Sequence, residues 1–163
     1  MMFLTDTHTH LDFPEFDGDR EHVIERAATA GVGAMVNVGA DLGSSQAAVA
    51  LAEAYPQIYA AVGVHPHDAK TVTEEVLEEL RALASHPKVI AIGEIGLDFY
   101  RDLSPRDKQR QAFQQQLALA SDVGKPVIIH DREAHTEVMA ILRHWIQGRH
   151  QPSAISHRPV GVL

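Results

Sequence analysis

Four short apolar runs in this chain each end in a histidine or a glutamate followed by a loop, and that recurrence restricts the fold more than any single motif does. Met1-Met2-Phe3-Leu4 runs toward Asp6-Thr7-His8-Thr9-His10-Leu11-Asp12, and Ile58-Tyr59-Ala60-Ala61-Val62-Gly63-Val64 runs into His65-Pro66-His67-Asp68. Val89-Ile90-Ala91-Ile92-Gly93 leads to Glu94-Ile95-Gly96-Leu97-Asp98, and Pro126-Val127-Ile128-Ile129 leads to His130-Asp131-Arg132. Unbroken apolar runs of this kind belong to strands buried on both faces, the condition of a parallel sheet. In a parallel (β/α) barrel every strand C-terminus opens onto one face, where functional residues gather from several strands. Within His8-Thr9-His10, side chains of an extended segment alternate, so both imidazoles point the same way. They are spaced to share one divalent cation or to flank a pair.

The segments between these runs carry helical signals. Asp19 caps a helix through residue 30, with Val23, Ile24, Ala27 and Ala28 on one face and Gly31 as its stop. Residues 34–38 read as another buried strand. Ser44 or Ser45 opens a helix over 46–54, closed by Tyr55-Pro56. Thr71 with Glu74 has the capping-box pattern for a helix over 74–85, whose Val76, Leu77, Leu80, Leu83 and Ala84 recur at helical spacing. Ser104-Pro105 begins a helix to about Val123, ahead of Gly124, with Phe113, Leu117 and Ala120 facing inward. A helix over 134–146 carries Val138, Ile141, Leu142 and Trp145, and residues 160–163 read as the start of a sixth strand. The expected fold is α/β, a (β/α)8 TIM barrel represented by about its first six strands and five helices, in one domain over residues 1–163. A doubly wound open sheet is the alternative, disfavoured because no glycine-rich phosphate loop follows the first strand.

The chain's 163 residues, 45% of them hydrophobic, suffice for one domain with a sizeable core. There is no cysteine, which excludes disulfides and thiolate metal sites. No apolar run approaches the roughly 18 residues of a membrane span, and the N-terminus lacks the pattern of a signal peptide. A cytoplasmic location without membrane contact is therefore expected, and no obligate protein partner is evident. The net charge of −8 argues against a protein that coats nucleic acid by bulk electrostatics, although a metal site can recruit a phosphate locally. His65, beside the rigid Pro66, is a candidate substrate or phosphate contact; Asp98, Arg101 and Arg132 are candidates to position phosphate or to brace loops. His86, His144 and His150 read as surface, and Trp145 as helix core.

Taken in this order and spacing, the four motif-bearing stretches and the helix with Gln111, Phe113, Gln116 and Leu117 resemble the TatD family of metal-dependent deoxyribonucleases, within the amidohydrolase-like TIM-barrel hydrolases. The resemblance implies one or two divalent cations, Mg, Mn or Zn. His8 and His10 would bind one, Glu94 would be shared, and His130 would bind the second. It further implies hydrolysis of DNA phosphodiesters, as an exonuclease, with the cations acidifying water and neutralising phosphoryl charge. The family's histidine after the strand at 160–163 and its later general-base aspartate have no counterpart in this sequence, and His157, in the loop before that strand, does not replace them. A C-terminally truncated relative is thus expected, binding cations weakly, cleaving slowly and exposing open strand edges. Two other readings are a metal-dependent hydrolase of a small ester, lactone or amide, and an inactive fragment.

Overall fold

The computed structural model describes residues 4–149. Strands and helices alternate in the order β1 (Leu4–Thr9), α1 (Arg20–Thr29), β2 (Val32–Val38), α2 (Leu42–Ala54), β3 (Ile58–Val62), α3 (Glu74–Ala84), β4 (Val89–Asp98), α4 (Arg106–Val123), β5 (Val127–Arg132) and α5 (His135–Arg149). Short 3-10 turns cover Pro14–Phe16 and Pro66–Thr71. All neighbouring strands pair in parallel, and their spatial order is their chain order, β1-β2-β3-β4-β5. A doubly wound sheet reverses its strand order at a switch point, whereas a (β/α) barrel adds each strand beside the last. The five strands follow the barrel rule. The expected sixth strand, His150 and His157 lie outside the described residues.

Alternation along each strand divides the core in two. Met35, Ile58, Ala60, Val62, Ile92, Ile95 and Val127 face the helices and meet Ile24, Leu80, Phe113, Leu117 and Val138. Val36, Val38, Ala61, Ala91 and Ile128 form a separate cluster on the other face of the sheet, the interior of a barrel. Apolar burial on both faces is what parallel strands require. β1 departs from it, because Leu4 through His8 are exposed. Its sequence after Leu4 is polar, and among the described strands it pairs only with β2.

Several boundaries differ from the sequence reading. α2 begins at Leu42 rather than at residue 46: Asp41 is the cap, and Ser44 serves as its reciprocal partner three positions on. Thr73, not Thr71, caps α3 through a 3.3 Å bond from the Val76 N–H, and Thr71 closes the preceding 3-10 turn. Ser104 does not cap α4; Pro105 stands at that position, and the buried Ser104 hydroxyl donates to the His67 carbonyl at 2.7 Å. Ala28 is exposed, outside the face that Val23, Ile24 and Ala27 present to the core. The helix end at Gly124 is as expected, with this residue in the left-handed conformation at φ 68°.

The largest shift concerns β1, β4 and β5. Their motifs lie within the strands rather than after them: β1 runs through His8, β4 through Glu94 to Asp98, and β5 through His130 to Arg132. Gly96 permits this extension. It pairs with His130 across β4 and β5 at φ +148°, and a Cβ there would sit 2.0 Å from the His130 carbonyl oxygen.

Candidate metal centre

His8 ends the exposed run of β1, and His10 occupies the turn beyond it. Their Nε2 atoms stand 3.3 Å apart, as the two-residue alternation requires. The His10 Nδ1 lies 2.9 Å from the Val38 carbonyl. A carbonyl only accepts, so Nδ1 carries the proton and the Nε2 lone pair is left free. Asn37, fully buried in β2, holds the turn from below: its Oδ1 accepts from the Leu11 N–H at 2.6 Å, and its Nδ2 donates to Asp12 at 2.7 Å.

Glu94 projects from β4 between two groups of imidazoles, following a cis Gly93–Glu94 peptide. Its Oε2 is 3.3 Å from His8 Nε2, and its Oε1 is 3.0 Å from His130 Nδ1. His65, at the end of the β3 segment, brings its Nε2 to 3.0 Å from His130 Nδ1. Two sets therefore share one carboxylate: His8, His10 and Glu94, and His65, Glu94 and His130, each with one ligand atom per residue within 4.8 Å of the others. Either set offers the nitrogen and oxygen donors that a divalent cation takes.

Asp98, at the end of β4, is fully buried and completely engaged. Its Oδ2 accepts from His67 Nε2 at 2.8 Å and from His130 Nε2 at 3.2 Å. Its Oδ1 accepts from the N–H groups of Tyr100 and Arg101, at 3.0 and 2.8 Å. The candidate substrate contact thus braces the loop and orients two histidines. With Nε2 of His130 donating to Asp98, Nδ1 is the nitrogen that faces Glu94, donating to it in the protonated ring and presenting a lone pair in the neutral one.

The charges follow from these contacts. Burial pushes the Glu94 carboxyl up, but the hydrogen bonds from His130 and His8 outweigh it and hold the group well below the usual carboxylate range. Asp98 is likewise raised by burial and pulled down further by the Arg101 N–H, His67 and His130, to about 2. His8 is raised, chiefly by its hydrogen bond to Glu94. His130 is lowered by burial yet raised on balance by Glu94 and Asp98. His65 moves the other way, to about 4, through burial and the neighbouring His130.

Of the residues singled out in the sequence, His8, His10, Glu94, His130, His65 and Asp98 come together here. Arg132 lies at the rim, its guanidinium 4.1 Å from the centre of the Tyr100 ring. Arg101 reaches the site through its backbone N–H. The sequence reading does not anticipate Asn37 or Gln109, and it names Gln116 only as part of the motif-bearing helix, without a role. Gln116 bonds both N–H and C=O of Val64, at 2.7 and 3.0 Å, immediately before His65. Gln109 does the same for Asp98, at 2.8 and 3.1 Å. The available signals were a lone amide inside Val36-Asn37-Val38 and two glutamines seven residues apart on α4, which share a helix face.

Comparison with known proteins bears on this geometry. The family described as TatD related DNase matches residues 5–160. The uncharacterized metal-dependent hydrolase YabD of Bacillus subtilis (strain 168) is 45% identical over 154 residues, which cover 94% of this chain and 60% of the relative. The 3'-5' ssDNA/RNA exonuclease TatD of Musicola paradisiaca (strain Ech703) is 42% identical over 153 residues, covering 93% of this chain and 57% of the relative. The crystal structure of YJJV, a TatD homolog from Escherichia coli K12, superposes with a TM-score of 0.82 at 36% identity, over 93% of this chain and 61% of that one. A TatD family hydrolase from Entamoeba histolytica, 22% identical, superposes at 0.83 over 90% of this chain and 55% of its own, a likeness of fold. The chain thus spans 57 to 60% of the length of these two curated relatives.

Proposed function

Because this chain belongs to the TatD related DNase family, we propose that it carries the cation-binding residues of a metal-dependent phosphodiesterase that removes nucleotides from the ends of DNA or RNA strands. One observation carries the reading: Glu94 directs one carboxylate oxygen to each of two histidine groups. The donor set fits a divalent cation, since the imidazole nitrogens that face Glu94 offer lone pairs once their rings are neutral. We assign His8, His10 and Glu94 to one cation, and Glu94 with His130 to a second. When bound, such cations supply an acidified water and positive charge opposite the phosphoryl oxygens. Residues 1–163 act as one domain in this proposal. Among the described residues no helix is long and apolar enough to cross a membrane; the cytoplasmic location expected from the sequence stays part of the proposal.

The chain's own groups have distinct tasks. His65 accepts the His67 N–H at Nδ1, at 3.1 Å, so its neutral ring carries the proton on Nε2. That N–H, which faces His130 Nδ1 at 3.0 Å, suits a phosphoryl oxygen better than a cation once a cation occupies His130, and His65 is assigned to the substrate despite its place in the second set. Asp98 orients His130 and His67, and Arg132 meets substrate at the rim. Neither carboxylate at the centre is free to take a proton from water, because Glu94 faces both groups and Asp98 is committed to four donors. A general base typically contributes about 10² to 10⁴ in rate, and cleavage by the described residues alone is accordingly slow.

The test is cleavage of an end-labelled single-stranded oligonucleotide by the purified chain with Mg²⁺ or Mn²⁺, beside a small carboxylic ester. Slow, cation-dependent loss of terminal nucleotides, abolished in Glu94→Ala, is expected. Rapid turnover of the ester with the oligonucleotide left intact would sink the nuclease reading in favour of the small-ester one.

A further inference from the structure

Tyr100 is a large side chain left open at the rim of this site, with 63% of its surface exposed. One face of its ring lies against the Arg132 guanidinium, 4.1 Å from centre to Cζ. Both residues are tied to the centre. The Tyr100 N–H donates to Asp98 at 3.0 Å, the Phe99 N–H donates to the Arg132 carbonyl at 2.9 Å, and Asp98 pairs with Arg132 across β4 and β5. His130 and Arg132, two residues apart on β5, share a face of the strand and stand roughly 7 Å apart along it.

Charge suits the same place. Asp131 is paired with His135 at 2.8 Å, Asp102 with Arg106 at 3.0 Å, and Glu137 with Arg110. Among the described residues Arg132 has no carboxylate partner, although the chain carries a net charge of −8. A guanidinium stacked on a tyrosine keeps its N–H edge available to a phosphate. Stacked aromatic and guanidinium planes are what unpaired nucleobases lie against, whatever the base.

We propose that Tyr100 and Arg132 form a platform for the terminal unpaired nucleotide of a nucleic-acid strand. The base stacks on the open side of the Tyr100–Arg132 pair, and Arg132 holds a phosphate beside His130. The platform rests on the reading of the chain as a nuclease and adds residues that select strands with a free base at the end. A base inside a duplex has both faces covered and cannot use it.

Fluorescence anisotropy in EDTA and low salt, where no cleavage occurs, tests the platform with a labelled oligothymidylate and an abasic strand of equal length. Tyr100→Ala weakens binding of the oligothymidylate roughly ten- to hundredfold and leaves the abasic strand unchanged. Tyr100→Phe keeps the ring and binds as the parent does. Arg132→Ala weakens both strands. Tyr100 is exposed, so its variants fold, which circular dichroism verifies. Equal losses on the two strands in Tyr100→Ala, or none on the oligothymidylate, overturn the platform alone, and an Arg132→Ala protein that binds both strands as the parent does overturns the role of Arg132. A parent protein that binds neither strand in EDTA overturns the platform, whereas the nuclease reading falls only with the cation-dependent cleavage assay.

Discussion

The Nε2 atom of His130 stands 3.2 Å from Oδ2 of Asp98, a carboxylate with no exposure to solvent. This bond selects which imidazole nitrogen faces Glu94. In Asp98→Asn the amide oxygen stays with the Tyr100 and Arg101 N–H groups, and its NH₂ is turned toward His130. The ring must then accept at Nε2 and protonate Nδ1, losing the lone pair that faces the site. The variant is expected to bind a second divalent cation about 10- to 100-fold more weakly, with the His8 and His10 set unchanged. Isothermal titration with Mn²⁺ checks it, and two unaltered binding events would refute the orienting role.

Cation binding should itself depend on pH in a defined direction. His8 and His130 are both raised above 6.5 and must lose protons to become ligands. Affinity therefore rises with pH through 6.5 and above it, and protons are released on binding. Titrations in buffers of different ionisation enthalpy measure that release; binding without it would contradict the assigned ligands.

His65 dictates a different pH window in the chelated protein. Its value is about 4 when folded and 6.5 when unfolded, so the unfolded chain takes up the proton first as pH falls. Its contribution is fully present above pH 6.5 and lost between 6.5 and 4, amounting to about 2–3 kcal/mol. The raised His8 and His130 act in the opposite sense around 6.5, and Glu94, held below its ordinary 4.5, adds a loss of its own toward the lower end of the window. Urea midpoints in EDTA should fall further across this window in the parent than in His65→Asn; parallel curves would argue that His65 is not held neutral.

Gln116 replaces a missing strand neighbour for Val64, and Leu is close to it in size. Gln116→Leu leaves a buried N–H and C=O without these partners and is expected to destabilise the fold by about 2–4 kcal/mol. Urea unfolding measures it. A loss below about 1 kcal/mol would mean that water or a shifted backbone satisfies both groups.

Much of this was legible in the sequence, for local reasons. His8 and His10 face the same way because side-chain alternation is a property of the strand itself, and Gly124 ends α4 because only a residue tolerant of positive φ closes a helix so. Glu94 was read as a candidate ligand but placed after its strand, because the apolar run reads as ending at Gly93. Gly96 instead lets two backbones approach within a paired sheet. The caps of α2 and α3 were misassigned by a few positions, since Asp41, Ser44, Ser45, Thr71 and Thr73 all have capping chemistry and only the backbone path chooses among them.

The sequence by itself determined the alternation of strands and helices, the parallel sheet it builds and the strand segments that bear imidazoles and carboxylates. Periodicity and end signals act over a few residues and need no knowledge of distant neighbours. Only the tertiary structure decided that Glu94 faces His8 with one oxygen and His130 with the other, that Asp98 is buried beneath two histidines, and that Arg132 lies on Tyr100. Those facts depend on distances of about 3 to 4 Å between separate strands, set by sheet register and helix packing; the same distances fix which nitrogen of each ring is left for a cation.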